Sequence, residues 1–155
     1  MSFSTEVACT PAQAFALIER IGGQNGWFYG DWLWELRGFL DRLVGGVGLS
    51  RGRRRADKLG PGEVVDCWRV ETYEPDRLLR LVAEMKVPGQ GWLQFDIKQN
   101  TAGTHICQSA IFEPHGLAGF LYWYGLWPVH RILLAGMLKE MAKALCDRRV
   151  RKVES

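Results

Sequence analysis

The sequence predicts an α+β fold in which an antiparallel sheet wraps one long C-terminal helix. Three observations carry this expectation. Four strand-like segments, Val64 to Tyr73, Leu78 to Lys86, Trp92 to Lys98 and His105 to Phe112, follow one another with turn chemistry between them. Leu134, Leu138, Met141 and Leu145 then recur at helical spacing near the end of the chain. One strand-like and two helix-like segments come before the run of strands. Strand, two helices, meander and final helix is the element order of the helix-grip arrangement, which leaves a cavity where sheet and helix part.

Phe3 to Ala8 alternates and reads as the first strand. Thr10 and Pro11 supply an N-cap and a first-turn proline for a helix over Ala12 to Ile21, which Gly22 and Gly23 end. In Trp27 to Val44, the residues Leu33, Leu36, Leu40, Leu43 and Val44 form an apolar stripe, with Arg37, Asp41 and Arg42 assigned to the solvent side. A loop rich in glycine and arginine follows, and a further strand over Arg54 to Leu59 is a weaker expectation because of its charges. Among the later strands, Leu79, Leu81, Ala83 and Met85 form one inward face and Leu93, Phe95 and Ile97 another. Glu84 and Lys86 suit a cross-strand ion-pair ladder. Pro128 marks the start of the last helix, and the charged tail, 147–155, is expected to fray. No repeat or linker divides the 155 residues, so one domain over 1–155 is expected.

Composition narrows the function classes. A formal net charge of +3 arises from twenty basic and seventeen acidic side chains, which gives no field for nucleic acid. The Arg51 to Arg55 cluster has few interleaved aromatics and reads as a solvated loop. Cys9, Cys67, Cys107 and Cys146 are widely spaced and no leader is seen, so reduced thiols in the cytoplasm are expected. Leu117 to Leu138 is long enough to span a bilayer, but Pro128, His130 and Arg131 sit near its middle, and a central arginine costs about 2.5–3.5 kcal/mol. No integral membrane span is expected.

Candidate chemistry is sparse. His130 lies among apolar residues, where burial would keep it neutral and suited to a general base, or else it bonds a carbonyl or Tyr hydroxyl near the helix start. Asp66, read on one strand face with Trp68 and Val70, is a candidate acid or anchor, or the partner of a basic neighbour. Gln108 shares a face with Ile106, Ala110 and Phe112 and would offer a cavity one amide. His105 and Cys107 share a strand face without further ligands at supporting spacing, so no metal is expected. Gly45, Gly46, Gly48 and Gly52 follow a helix, which is the wrong context for a dinucleotide loop, and no cofactor is expected. The aromatic platform of Phe120, Tyr122, Trp123, Tyr124 and Trp127 is the feature best suited to touch a flat or lipid-like guest. From it Tyr122, Trp123 and Trp127, with Trp68, Trp92, Gln108 and His130, make up the expected ligand site.

Several runs resemble an uncharacterised bacterial family of unknown function. They are D-C-W-R-V-E from Asp66, A-E-M-K-V-P-G from Ala83 with Trp92 and Leu93, and Q-S-A-I-F-E-P-H-G-L-A-G-F-L-Y-W-Y from Gln108. G-W-F-Y-G-D-W-L-W from Gly26 and L-V-G-G-V-G-L-S-R-G-R from Leu43 extend the likeness, as do Pro128, His130, Gly136 and Met137. That family looks like a branch of the START-like (SRPBCC) superfamily, which includes polyketide cyclases, and in longer chains it follows an NAD(P)-binding, epimerase-like domain. The resemblance implies a helix-grip domain that binds a small hydrophobic or aromatic ligand. It leaves two alternatives: a cyclase or dehydratase with His130 as base, or a partner of a separate NAD(P)-dependent reductase. No nucleotide-binding domain is expected before Met1, and the family brings no catalytic residues.

Overall fold

The computed structural model describes residues 1–43, 45–46, 48 and 58–153, the last six by their backbone alone. The elements run β1 (Ser2–Val7), α1 (Pro11–Ile18), a 3-10 turn (Gly23–Asn25), α2 (Asp31–Leu43), β2 (Val64–Val65), β3 (Trp68–Glu74), β4 (Leu78–Ala83), β5 (Gly89–Asn100), β6 (Gly103–Pro114), α3 (Gly116–Gly125) and α4 (Trp127–Val153). The arginine cluster over 51–55 and all but Lys58 and Leu59 of the strand expected over 54–59 lie outside the described residues.

The six strands form one antiparallel sheet in the order β1-β6-β5-β4-β3-β2. Its β1 pairs with β6 from Ser2 opposite Ser109 to Val7 opposite Thr104, so the first strand is held by the last. Period-two alternation sends Leu79, Leu81, Leu93, Phe95, Ile97 and Ile106 to one buried face. Against that face α4 buries Leu133, Leu134, Met137, Leu138, Met141 and Leu145, the stripe expected from the sequence. This is the expected helix-grip arrangement. A capping box starts α1, with the Gln13 amide donating to Thr10 Oγ1 at 3.3 Å and the Thr10 amide to Gln13 Oε1 at 3.0 Å.

Four parts of the structure differ from the sequence expectation. The segment Val64 to Tyr73 is two strands, because Asp66 adopts φ 54° and the chain folds back so that Val65 faces Trp68. Asp is among the few side chains that tolerate this left-handed region. The helix α2 is rotated from its expected setting: Trp34, Gly38 and Asp41 are buried, while Leu36, Leu40 and Leu43 are 48%, 53% and 67% exposed. Asp41 was assigned to solvent, yet its carboxylate accepts from the backbone amides of Gly48 and Lys86, both at 2.8 Å. The aromatic platform is itself a helix, α3, apolar around its circumference and so without a stripe to announce it. It lies close to the sheet because Gly119 abuts the Pro88 carbonyl and Pro114, where any Cβ would collide. The backbone of α4 stays helical through Val153, into the segment expected to fray.

The two faces of this fold predict opposite sensitivities. Met141→Ala should lower the unfolding free energy by about 2–5 kcal/mol in urea titrations, as for other fully buried side chains. Leu40→Ser, at an exposed site, should change it by no more than about 0.5 kcal/mol. Comparable losses for the two would mean that α2 packs on its leucine face after all.

Candidate functional site

Near the start of α4 the helix and the sheet part, and a cavity of about 80 Å³ opens between them. Small residues on the sheet make the room: Ala83, Gly91 and Ala110 stand where Leu81, Phe95 and Ile106 fill the deeper core. Trp34 and Arg37 of α2 close one side, Tyr122 and Trp123 of α3 the mouth, and His130, Leu133 and Leu134 of α4 the far wall.

Two aromatic clusters build these walls. Trp27 and Trp34 stack at 4.7 Å, and Trp68 meets them at 6.2 and 6.4 Å. On the other side Phe112 stacks on Trp123 at 5.2 Å and leans on Tyr122 at 5.6 Å. Trp123 in turn contacts His130 at 5.2 Å and meets Trp127 edge-on at 6.0 Å.

The polar atoms here are few. Arg37 holds its guanidinium 5.6 Å from the centre of the Tyr122 ring, a cation–π distance, and its Nε donates to the Met85 thioether at 3.0 Å. Burial pushes the Tyr122 phenol above its usual range, and Arg37 partly opposes that shift. His130 is driven down to about 4, first by burial and then by repulsion from Arg37, so it is neutral at pH 7. Its Nδ1 is buried without a hydrogen-bond partner, as are the indole nitrogens of Trp34 and Trp68.

Several residues expected at the ligand site therefore meet. Trp68, Tyr122, Trp123 and His130 line the cavity. Trp92 borders it, but its indole is committed elsewhere, donating to Glu71 at 3.1 Å with Arg80 5.3 Å from its ring. Strand alternation requires this, since the adjacent Leu93 points inward. Gln108 does not line the cavity; it is sealed in the core with its Nε2 3.9 Å from the Met137 sulfur. Trp127 supports Trp123 from outside and is 37% exposed.

Asp66 is also elsewhere. Its Oδ2 accepts from the Gly23 amide and the Trp27 indole, each at 2.9 Å, in a separate cleft beside the 3-10 turn. Glu84 pairs with Arg69 at 2.6 Å, the cross-strand contact expected of it. Sequence reasoning missed Arg37, Trp34 and Phe112. Arg37 and Trp34 were hidden by the leucine stripe of α2, whereas Phe112 shared the inward face already assigned to Gln108.

A second space adjoins the first. A surface groove of about 370 Å³ between α2 and the α3–α4 corner shares Arg37, Val87, Tyr122, His130 and Leu133 with the cavity. Among the described residues no group of three or more His, Cys, Asp or Glu side chains converges to hold a metal, and no helix is long and apolar enough to cross a membrane.

Comparison with known proteins places this fold in a family. A family model described as protein of unknown function (DUF2867) matches residues 2–137, and the chain belongs to that family. No curated protein matches the sequence. Among solved structures, a protein of unknown function from Staphylococcus aureus is 11% identical with a TM-score of 0.53, covering 96% of this chain and 94% of its own. A protein from Nitrosomonas europaea gives 10% identity and 0.52 over 97% and 96% of the two chains. One from Mesorhizobium loti gives 12% and 0.51 over 96% of each. At these identities the likeness is one of fold.

The His130 environment fixes the sign of a pH effect. Its folded-state value lies below the roughly 6.5 of an exposed histidine, so the unfolded chain takes up the proton first as the pH falls. Stability should decline between about pH 6.5 and 4, by on the order of 2–3 kcal/mol once partial exposure is allowed for. Unfolding titrations of the wild type and His130→Gln across this range should diverge at the acid end. Parallel curves would show that the imidazole is not held neutral.

Proposed function

We propose that this domain binds a small apolar molecule, preferably aromatic, between the β4–β6 face and the first turns of α4. The observation that carries the reading is the cavity itself, walled by Trp34, Trp68, Phe112, Tyr122 and Trp123 and left open by small residues on the sheet. Aromatic walls offer a flat guest large apolar contact with little entropy lost on the protein side. At about 80 Å³ the cavity is well short of the roughly 300–1,000 Å³ of typical ligand pockets. The adjoining groove supplies the missing volume, so a guest would seat one end inside and extend past the rim formed by Arg37 and Tyr122.

Two features favour binding over the cyclase or dehydratase alternative. Asp66, the candidate orienting acid, spends an oxygen on Gly23 and Trp27 in a different cleft from His130. An imidazole held near 4 is also a weak proton acceptor at neutral pH.

Naphthalene, titrated while tryptophan fluorescence is followed, tests the site, because Trp34, Trp68 and Trp123 stand in its walls. Saturable binding is expected. Ala110→Phe, which fills the cavity from the sheet side, should weaken it at least about tenfold. Phe39→Ser, on the exposed face of α2, should leave it unchanged. Binding that survives Ala110→Phe but is lost with Phe39→Ser would move the site to the outer surface and sink the proposal.

A further inference from the structure

The cavity holds an unbalanced set of polar groups, and that imbalance bears on its guest. Three buried nitrogens on its lining residues, Trp34 Nε1, Trp68 Nε1 and His130 Nδ1, have no hydrogen-bond partner. The two tryptophans are each only 7% exposed. An indole nitrogen is a donor alone, so each leaves an N–H without an acceptor, a state rare in folded proteins unless water or a ligand completes it. Trp27 makes the contrast: it belongs to the same cluster, and its N–H is satisfied by Asp66.

Arg37 adds a charge to the same set. Among the described residues it is the one cation lining the cavity. The ion pairs there, Arg69 with Glu84, Arg77 with Glu74 and Arg80 with Glu71, do not reach it. Its contacts are the Met85 thioether, a weak acceptor, and Tyr122, by its ring and its hydroxyl, both of them neutral groups. A guanidinium in an apolar setting is ordinarily matched by a carboxylate in bidentate contact. Here the contacts of the guanidinium are neutral, and no ion pair among the described residues reaches it.

From this juxtaposition we infer that the cavity selects an aromatic or other apolar carboxylic acid, its carboxylate on Arg37 and its ring against the walls that Trp34 and Trp68 form. The inference rests on the cavity being a binding site and goes further by naming the head group. One cation matches one negative charge, which favours a carboxylate over a phosphate. Arg37 also lies on the rim shared by cavity and groove, so a head group there leaves the inner space to the ring. His130, neutral at pH 7, adds no opposing or competing charge.

Calorimetric titration with 2-naphthoate and the uncharged 2-naphthamide at pH 7.5 tests this. The wild type should bind naphthoate at least about tenfold more tightly. Arg37→Met should bring the two within about twofold by weakening naphthoate alone, and Arg37→Lys, which keeps the charge without the planar fork, should retain part of the preference. As a readout that needs no substitution at Arg37, the indole N–H resonances of Trp34 and Trp68 should move on adding naphthoate, while that of Trp27 stays. Equal affinities in the wild type, a preference that survives Arg37→Met, or unmoved Trp34 and Trp68 resonances would each overturn the carboxylate assignment while leaving an apolar site intact. If neither probe binds, the binding function falls and this inference with it.

Discussion

The left-handed turn at Asp66 is the constraint on which the candidate site depends. At φ 54° the chain reverses between β2 and β3, and the carboxylate is set to take the Gly23 amide and the Trp27 indole at once. Trp27 is thereby fixed, and Trp34 stacks on it at 4.7 Å. That stack, with the buried Asp41 holding the Gly48 and Lys86 amides, sets the rotation of α2 about its axis. Arg37 lies three residues beyond Trp34 and so turns toward the same interior. A single acidic side chain in a turn thus governs what the cavity contains, although it does not touch the cavity.

The second determinant is a mismatch of sizes along the sheet. In the deeper core Phe95 and Ile106 of the sheet and Met137 and Met141 of α4 are all wholly buried. Toward the helix start the sheet offers Ala83, Gly91 and Ala110, and nothing across from them grows to compensate. Close packing normally removes such space, because unfilled volume forfeits dispersion contacts. Here α3 is drawn down at Gly119 and covers the gap with Tyr122 and Trp123 instead of filling it. A covered gap of this kind costs stability, and a guest would recover the lost contacts.

Much of the framework was legible in the sequence, and the failures share one cause. Strand alternation and the Leu134–Leu138–Met141–Leu145 stripe act through local periodicity, so the sheet and α4 could be read directly. The setting of α2 could not, because a conspicuous leucine stripe lost to two contacts distant in sequence, Trp34 with Trp68 and Asp41 with Lys86. Asp66 was placed on a continuous strand because nothing local announces a two-residue reversal there. Trp92 shows a different error: the alternation that turned Leu93 inward already required its indole to face out, toward Glu71 and Arg80. Of the site, the aromatic walls and His130 were readable. Its charge was not, since Arg37 sits on the face of α2 that periodicity had given to solvent.

A charge kept in this position has an energetic consequence of its own. Arg37 is half-buried on the rim, so its guanidinium is partly withdrawn from water, and the cation–π contact with Tyr122 offsets part of that cost. The neighbouring imidazole cannot help, since its own protonation is suppressed by burial and by Arg37 itself. The arrangement favours an occupied site carrying an acceptor over an empty one, because the guanidinium is already held at the rim, partly withdrawn from water, before the guest arrives. Affinity then comes less from area, which a cavity this small can hardly provide, than from polar groups prepared in advance. The same preparation discriminates, since a guest lacking an acceptor displaces the water that solvates Arg37 at the rim and gives it no counter-charge.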